Sequence, residues 1–445
     1  MSINVVDTAT HAAGIVDRNR LSAVALEQYL AWIGDPLATL QEVTERDPGF
    51  VQGHTLAGVL RILSGEPGGS PAVQQALTTV EAQAASLTQS EQAHLAALRA
   101  WSQEDSRGAA RIWEAILIDQ PDDLWALRFA HDTYFYLGDS ANIRDSIARV
   151  LPTWSEDHPL YGFLLGMHAF GLEETGDYTK AEIAGRRAVE RNPGDTWAIH
   201  AVAHVLEMQG RTIEGIGWLG DLKSHWTAAT GLAIHQWWHL ALYLIERGRF
   251  GEVLDIYDQQ IRGGKSGALL DLVDAAALLW RLRLVGVDIG NRWSELTAYW
   301  YPHLDEHVLL FNDLHISLVA AGVGDTSTLD RQARSLSEYV ERKSGTNRDI
   351  SAQLAHPLQQ AIAAFASGDF DHTVDLLLPV RYDIRRIGGS HAQRDLFNQT
   401  LVAAAIGAGR HKLARALLAE RLALKPNSQS TQRLYAQVKA ASGPH

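Results

Sequence analysis

The stretch PLYGFLLGMHAFGLEETGDYTKAEIAGRRAVERNP, Pro159 to Pro193, decides the fold. It reads as helix, turn, helix. Gly176 before Asp177 ends the first apolar run, because glycine takes the left-handed conformation that closes a helix at low cost. Ala181 and Ala188 put small side chains where two helices must approach closely. Asn192-Pro193 stops the second helix, since proline lacks the N–H that a continuing helix needs. A unit of this size cannot bury its apolar stripe alone and calls for neighbours of the same kind.

Those neighbours are present. The Gly-plus-polar turn recurs at Gly138-Asp139, Gly210-Arg211, Gly248-Arg249, Gly368-Asp369 and Gly409-Arg410, each between two amphipathic stretches of helical length. Gly176 to Gly210 spans 34 residues, the tetratricopeptide period, while other intervals are 38, so the repeats are degenerate. Ala414 and Pro426 reproduce the small-residue and terminator positions in the last unit, and Asp47-Pro48 does so near the start. The expected fold is all-α: one α-solenoid, or superhelix, of degenerate tetratricopeptide-like helix-turn-helix repeats over 1–445. Within it, 1–115 holds N-terminal helices, 116–262 the clearest repeats, 263–350 an irregular helical insert and 351–445 C-terminal repeats. From Gly286 to Gly345 clear repeat punctuation is missing. The loops at 64–71 and 263–267 are too short to link domains.

Composition narrows the function. Lys plus Arg number 39 against 52 acidic residues, a net charge of -13, and no basic run offers a track for phosphates, which argues against nucleic acid. Cysteine is absent, which excludes disulfides, thiolate zinc sites and cysteine nucleophiles, so any metal must sit on His, Asp or Glu. Met1 to Arg20 carries Asp7, His11 and Asp17 where a secretory signal would be apolar. Gly267 to Leu284, the most apolar segment, is interrupted by Asp271, Asp274, Arg281 and Arg283, so no membrane span is expected and a cytoplasmic location is.

In arrays of this type the first helix of each pair lines the concave face, and its inward positions recur one turn apart. Aligned on the Gly210 turn, HAVAHVLEMQGR puts His200, His204 and Glu207 on one stripe. HQWWHLALYLIERGR adds His235 and His239, again four apart, with Trp238 beside them. Upstream units place Asp132, next to His131, and Glu173 on the same stripe, with His168 nearby. Imidazoles one turn apart can converge on one ion, which makes His200, His204, Glu207, His235 and His239 a candidate site for a divalent zinc, manganese or iron ion. The same groups suit metal-free acid and base work, with His204, Glu207 and His239 as the catalytic candidates. They also suit plain hydrogen bonding between packed helices. The Glu that directly follows the first His in zinc metalloproteases is missing, so that mechanism is not transferred.

Two later segments are expected to close the pocket. FNDLHISL offers Asp313 and His315 beside Asn312. GGSHAQRDLFNQ offers Ser390, His391 and Arg394 at a helix start, an arrangement suited to clamping an anion and equally to capping and ion pairing. Ser390, His391 and Asp395 do not make a hydrolase triad, because adjacent Ser and His cannot easily meet. Gly215-Ile-Gly217-Trp-Leu-Gly220 matches a dinucleotide fingerprint only by letter, with no strand before it, and Gln259 replaces the first glycine of a phosphate loop ending in Gly264-Lys265-Ser266. No nucleotide cofactor is expected.

Through HAVAHVLEMQGR, HQWWHLALYLIE, DAAALLWRL, FNDLH and GGSHAQRDLFNQ, in that order, the chain resembles the tetratricopeptide repeat protein 38 family over essentially its whole length. That resemblance implies a polar inner stripe peculiar to the family. The expected function is a concave pocket that binds a small polar or aromatic molecule, with hydrolysis or a lyase-type proton transfer as the reaction if the protein is an enzyme. The alternative is a scaffold that takes a peptide in its groove. A homodimer is compatible with either.

Overall fold

The structure, a computed structural model, describes residues 5–342 and 344–441, with side chains from Arg18 onward; Asp7, His11 and Asp17 fall outside those. The described residues are helical with no strand, and the helices follow one another as antiparallel pairs. The chain is an all-α, tetratricopeptide-like helical array.

One local device repeats along it. The residue closing the first helix of each pair is left-handed, and the next N–H donates to the carbonyl five residues back, the Schellman arrangement. This occurs at Gly138, Gly176, Gly210, Gly248, Gly368 and Gly409, with bonds such as Asp177 N to Leu172 O and Arg211 N to Leu206 O at 2.9 and 2.8 Å. In the Gly-Asp turns the aspartate then caps the second helix: Asp139 accepts from Asn142 N, Asp177 from Lys180 N and Asp369 from His372 N. The motif is therefore a C-terminal stop and an N-terminal start fused into two residues.

The same turn also sits where the sequence shows less. Gly286 and Gly324 carry it, with Val287 N to Leu282 O and Asp325 N to Ala320 O, so the stretch from Gly286 to Gly345 is punctuated after all. Further upstream Gly65 carries it, and so do two residues that are not glycine, Trp32 and Glu104, at φ 59° and 67°. Non-glycine residues in this conformation are uncommon, which is why pattern reading passes over them. Helix lengths differ between pairs, and the turns fall 33 to 44 residues apart.

The array does not leave its concave face open. Its late repeats fold back onto the ends of its early inner helices. Thr346 N donates to Glu104 O at 2.8 Å, Arg394 pairs with Glu174 at 3.0 Å, Lys425 reaches Glu207 at 3.4 Å, and Ser428 and Ser430 bond the carboxylate of Glu246. A Cβ on Gly138 would meet the carbonyl of Arg385 at 1.7 Å, so this seam depends on a missing side chain. Nine of the thirteen tryptophans are buried, among them Trp197, Trp238, Trp280 and Trp300. They fill the space between inner helices with large apolar surface. No helix among the described residues is long and apolar enough to cross a membrane.

Candidate metal centre

Three successive inner helices, Tyr161–Glu174, Thr196–Met208 and Ala233–Glu246, pack one on the next, and the third packs on Leu269–Leu284. The four-residue spacing within HAVAH and HQWWH turns each histidine pair to one helix face, and the stacking of the two helices brings the pairs opposite each other. Ligand nitrogens of His200, His204, His235 and His239 all lie within 4.8 Å of one another, and the rings form a cluster with centroids 4.4 to 5.0 Å apart. His204 Nε2 stands 2.9 Å from His200 Nε2. All four residues are shut away from solvent, at 4% exposure or less.

What distinguishes this from a packed aromatic core is what lies behind the rings. His235 Nδ1 donates to Asp274 at 2.8 Å, and His239 Nδ1 donates to Glu207 at 3.1 Å. Each carboxylate fixes the tautomer and the ring plane, leaving the other nitrogen, Nε2, as a lone-pair donor toward the centre. His239 Nε2 meets no partner. Burial, reinforced by the neighbouring histidines, pushes the imidazoles of His200 and His204 far below their usual range, and burial lowers His239 against the pull of Glu207. They are held neutral, the form that binds metal. Phe170 stacks on His200 and Trp238 on His235, with centroids at 5.5 and 5.2 Å, and Trp197 packs against His200 at 4.9 Å.

Other expected residues take different places. Glu207 is not among the converging atoms; it stands behind His239, and Lys425 offsets the upward push of burial so that its carboxyl is held below the usual range. Glu173 is fully buried beside His204, at 3.7 Å. Trp238 is a wall under the guanidinium of Arg281, whose carbon is 5.1 Å from the ring centroid. His168 is half-buried in the field of Arg144, Asp145 and Lys180, away from the cluster. Asp132 is bonded to Tyr29 and Arg128, and His131 is buried with neither nitrogen partnered.

The two late segments do not line this centre as expected. Asp313 accepts from His307 Nδ1 at 3.0 Å, and His315 Nδ1 donates to Phe311 O at 2.7 Å between the rings of Phe311 and Trp300. Burial lowers His315 to about 4. Ser390 is a helix cap in a reciprocal box with Gln393. His391 gives its backbone N–H to Glu174 at 2.7 Å, and Arg394 is consumed by Glu174 and the carbonyls of Gly388 and Gly389. The expected anion clamp is thus an internal joint, because a buried guanidinium in a closed array must find its partners within the chain. Asp395 pairs with Arg421 and takes no part in a triad.

Asp274 and Glu174 were missed. Asp274 had a signal: a carboxylate inside the otherwise apolar DLVDAAALLWRL, which a buried helix retains only with a partner. Glu174 had none, since the guanidinium that pairs with it lies 220 residues away.

Two clefts, of about 320 and 420 Å³, open along the seam between early and late repeats. The first is lined by Trp101, Tyr136, His307 and Tyr339 among others, the second by Arg107, Arg111 and Arg385; neither includes a member of the histidine cluster.

No protein-family model matches the chain. Among solved structures it is similar to the human IFIT1 dimer with PPP-AAAA, at 12% identity and a TM-score of 0.39, covering 88% of this chain and 91% of that one. It is also similar to the human IFIT1 dimer with m7Gppp-AAAA, at 13% identity and a TM-score of 0.37, covering 95% and 100%. At these values neither likeness bears on what this chain binds.

Proposed function

We propose that this protein is a metal-binding helical-repeat protein of the tetratricopeptide repeat protein 38 type, a single array over 1–445, holding a divalent transition-metal ion on His200, His204, His235 and His239. One observation carries the reading. The outer nitrogens of His235 and His239 are held by the carboxylates of Asp274 and Glu207 while the inner nitrogens converge, the arrangement that orients imidazoles toward a metal. Four imidazole ligands suit zinc or iron better than manganese, which favours oxygen ligands.

Four protein ligands fill a tetrahedral ion, so chemistry on a substrate requires one of them to give way. His200 and His204 are less firmly held than His235 and His239, because neither Nδ1 has a hydrogen-bond partner to fix its ring. With one position open, a bound ion would supply Lewis-acid polarisation of a small polar or aromatic substrate, and a histidine would serve as the base in a hydrolysis or a lyase-type proton transfer. The rival reading, a peptide scaffold, has less support: the concave face it needs is covered by the late repeats.

The test is metal analysis of purified, untagged protein after refilling with zinc and desalting. Bound zinc that is absent from a folded His235→Ala, His239→Ala double variant supports the proposal. No retained ion in the wild type, or equal retention in the double variant, overturns it. Turnover of small esters, amides and hydroxy acids, lost in the same variant, extends the reading from a binding site to an enzyme.

A further inference from the structure

Glu173 is the acidic residue at this centre whose relation to its histidine differs from the others. It is fully buried, and neither carboxylate oxygen has a hydrogen-bond partner. Its Oε2 stands 3.7 Å from His204 Nδ1, too far for a hydrogen bond, and that nitrogen is unpartnered too. Two buried polar groups face each other across a gap that a hydrogen bond does not close, and such gaps in folded proteins call for an occupant.

The gap has the dimensions of an ion. Nitrogen and oxygen ligands about 2.1 Å from one metal stand roughly 3.4 to 4.2 Å apart, depending on the angle between them. Ligand atoms of Glu173, Glu174 and His204 lie within 4.8 Å of one another. On the other edge of the same ring, His204 Nε2 faces His200 Nε2 at 2.9 Å. The ring therefore has one nitrogen in the four-histidine cluster and one at the carboxylates.

We propose that a second divalent cation binds between Glu173 and His204, with Glu174 as a further carboxylate ligand, so that the His204 ring bridges two metal ions. The inference rests on the four-histidine reading, which supplies the first ion. Proton balance follows from the bridge. His204 Nε2 binds the first ion and Nδ1 the second, so the N–H proton of the neutral ring leaves for the buffer, together with the proton that burial favours on the Glu173 carboxyl. Glu174 is already neutralised by Arg394 at 3.0 Å, so the Glu173 carboxylate stands against the second cation and the deprotonated ring shares its one negative charge between the two ions.

The experiment titrates metal-free, full-length protein with Zn²⁺ by calorimetry in buffers of different ionisation enthalpy, beside Glu173→Gln. The expected wild-type result is two equivalents, the second releasing protons, and the expected variant result is one equivalent without that release. Because the variant can lose structure, Co²⁺-loaded wild type provides a second readout: magnetic coupling between two ions through the ring, present at two equivalents and absent at one. One equivalent in the wild type overturns the bridge and leaves the four-histidine site standing. Two equivalents in both proteins put the second ion elsewhere and also overturn it. No binding in the wild type removes both readings.

Discussion

His235 and Asp274 meet across two successive inner helices, Nδ1 against carboxylate at 2.8 Å, with the aspartate wholly buried. The pair joins the repeat fold to its chemistry: stacking of two helices places the carboxylate, and the carboxylate sets which ring nitrogen faces the centre. Asp274→Asn keeps the shape and removes the charge. It is expected to weaken zinc binding about 10- to 100-fold, measured by competition with a chromogenic chelator. Unchanged affinity would show that Asp274 only satisfies a buried ring.

The turn glycines separate two costs. Gly286, at φ +76°, has nothing within 4 Å of an added Cβ, so Gly286→Ala carries only the backbone penalty, about 1–2 kcal/mol in urea unfolding. Gly138→Ala adds a collision with Arg385 O and must lose clearly more stability. Equal losses would mean that the seam yields without resistance.

Arg394 divides the sequence expectation from the structural one. As an anion clamp, its removal would weaken a ligand; as the partner of buried Glu174, its removal strands a charge. Arg394→Met is expected to cost about 3–5 kcal/mol of stability and to leave zinc on the four histidines. Full thermal stability in this variant would contradict the joint.

Asp195 caps the helix Thr196–Met208 through one oxygen, bonded to Ala198 N, while the other is buried without a partner. Burial, opposed by those helix N–H groups, raises its carboxyl to about 7. The folded chain therefore holds a proton that the unfolded chain releases near 3.8. The stability from this group is full below 3.8 and falls as pH rises toward 7, by up to about 1.4 kcal/mol per unit. Asn caps as well as Asp, so Asp195→Asn should flatten the pH profile of the melting temperature over that window and stabilise the protein above it. A profile of unchanged slope would sink the assignment.

The helical repeats were legible in the sequence because turn chemistry is local. Gly176-Asp177 ends one helix and caps the next with atoms a few residues apart, and the four-residue spacing of His200 with His204 and of His235 with His239 puts each pair on one face whatever surrounds it. The turns at Trp32 and Glu104 escaped because their left-handed backbone is held by hydrogen bonds and tertiary contacts, without a glycine to mark it. The site was legible to the same depth: two histidine pairs follow from helical periodicity, but their meeting does not. Which carboxylate stands behind which ring, that Arg394 is taken by Glu174, and that the groove is closed depend on contacts between residues tens to hundreds of positions apart. Local propensity determines where each helix begins and ends. Only the superhelical curvature, summed over many small packing angles, decides which inner faces come together and whether water is left between them.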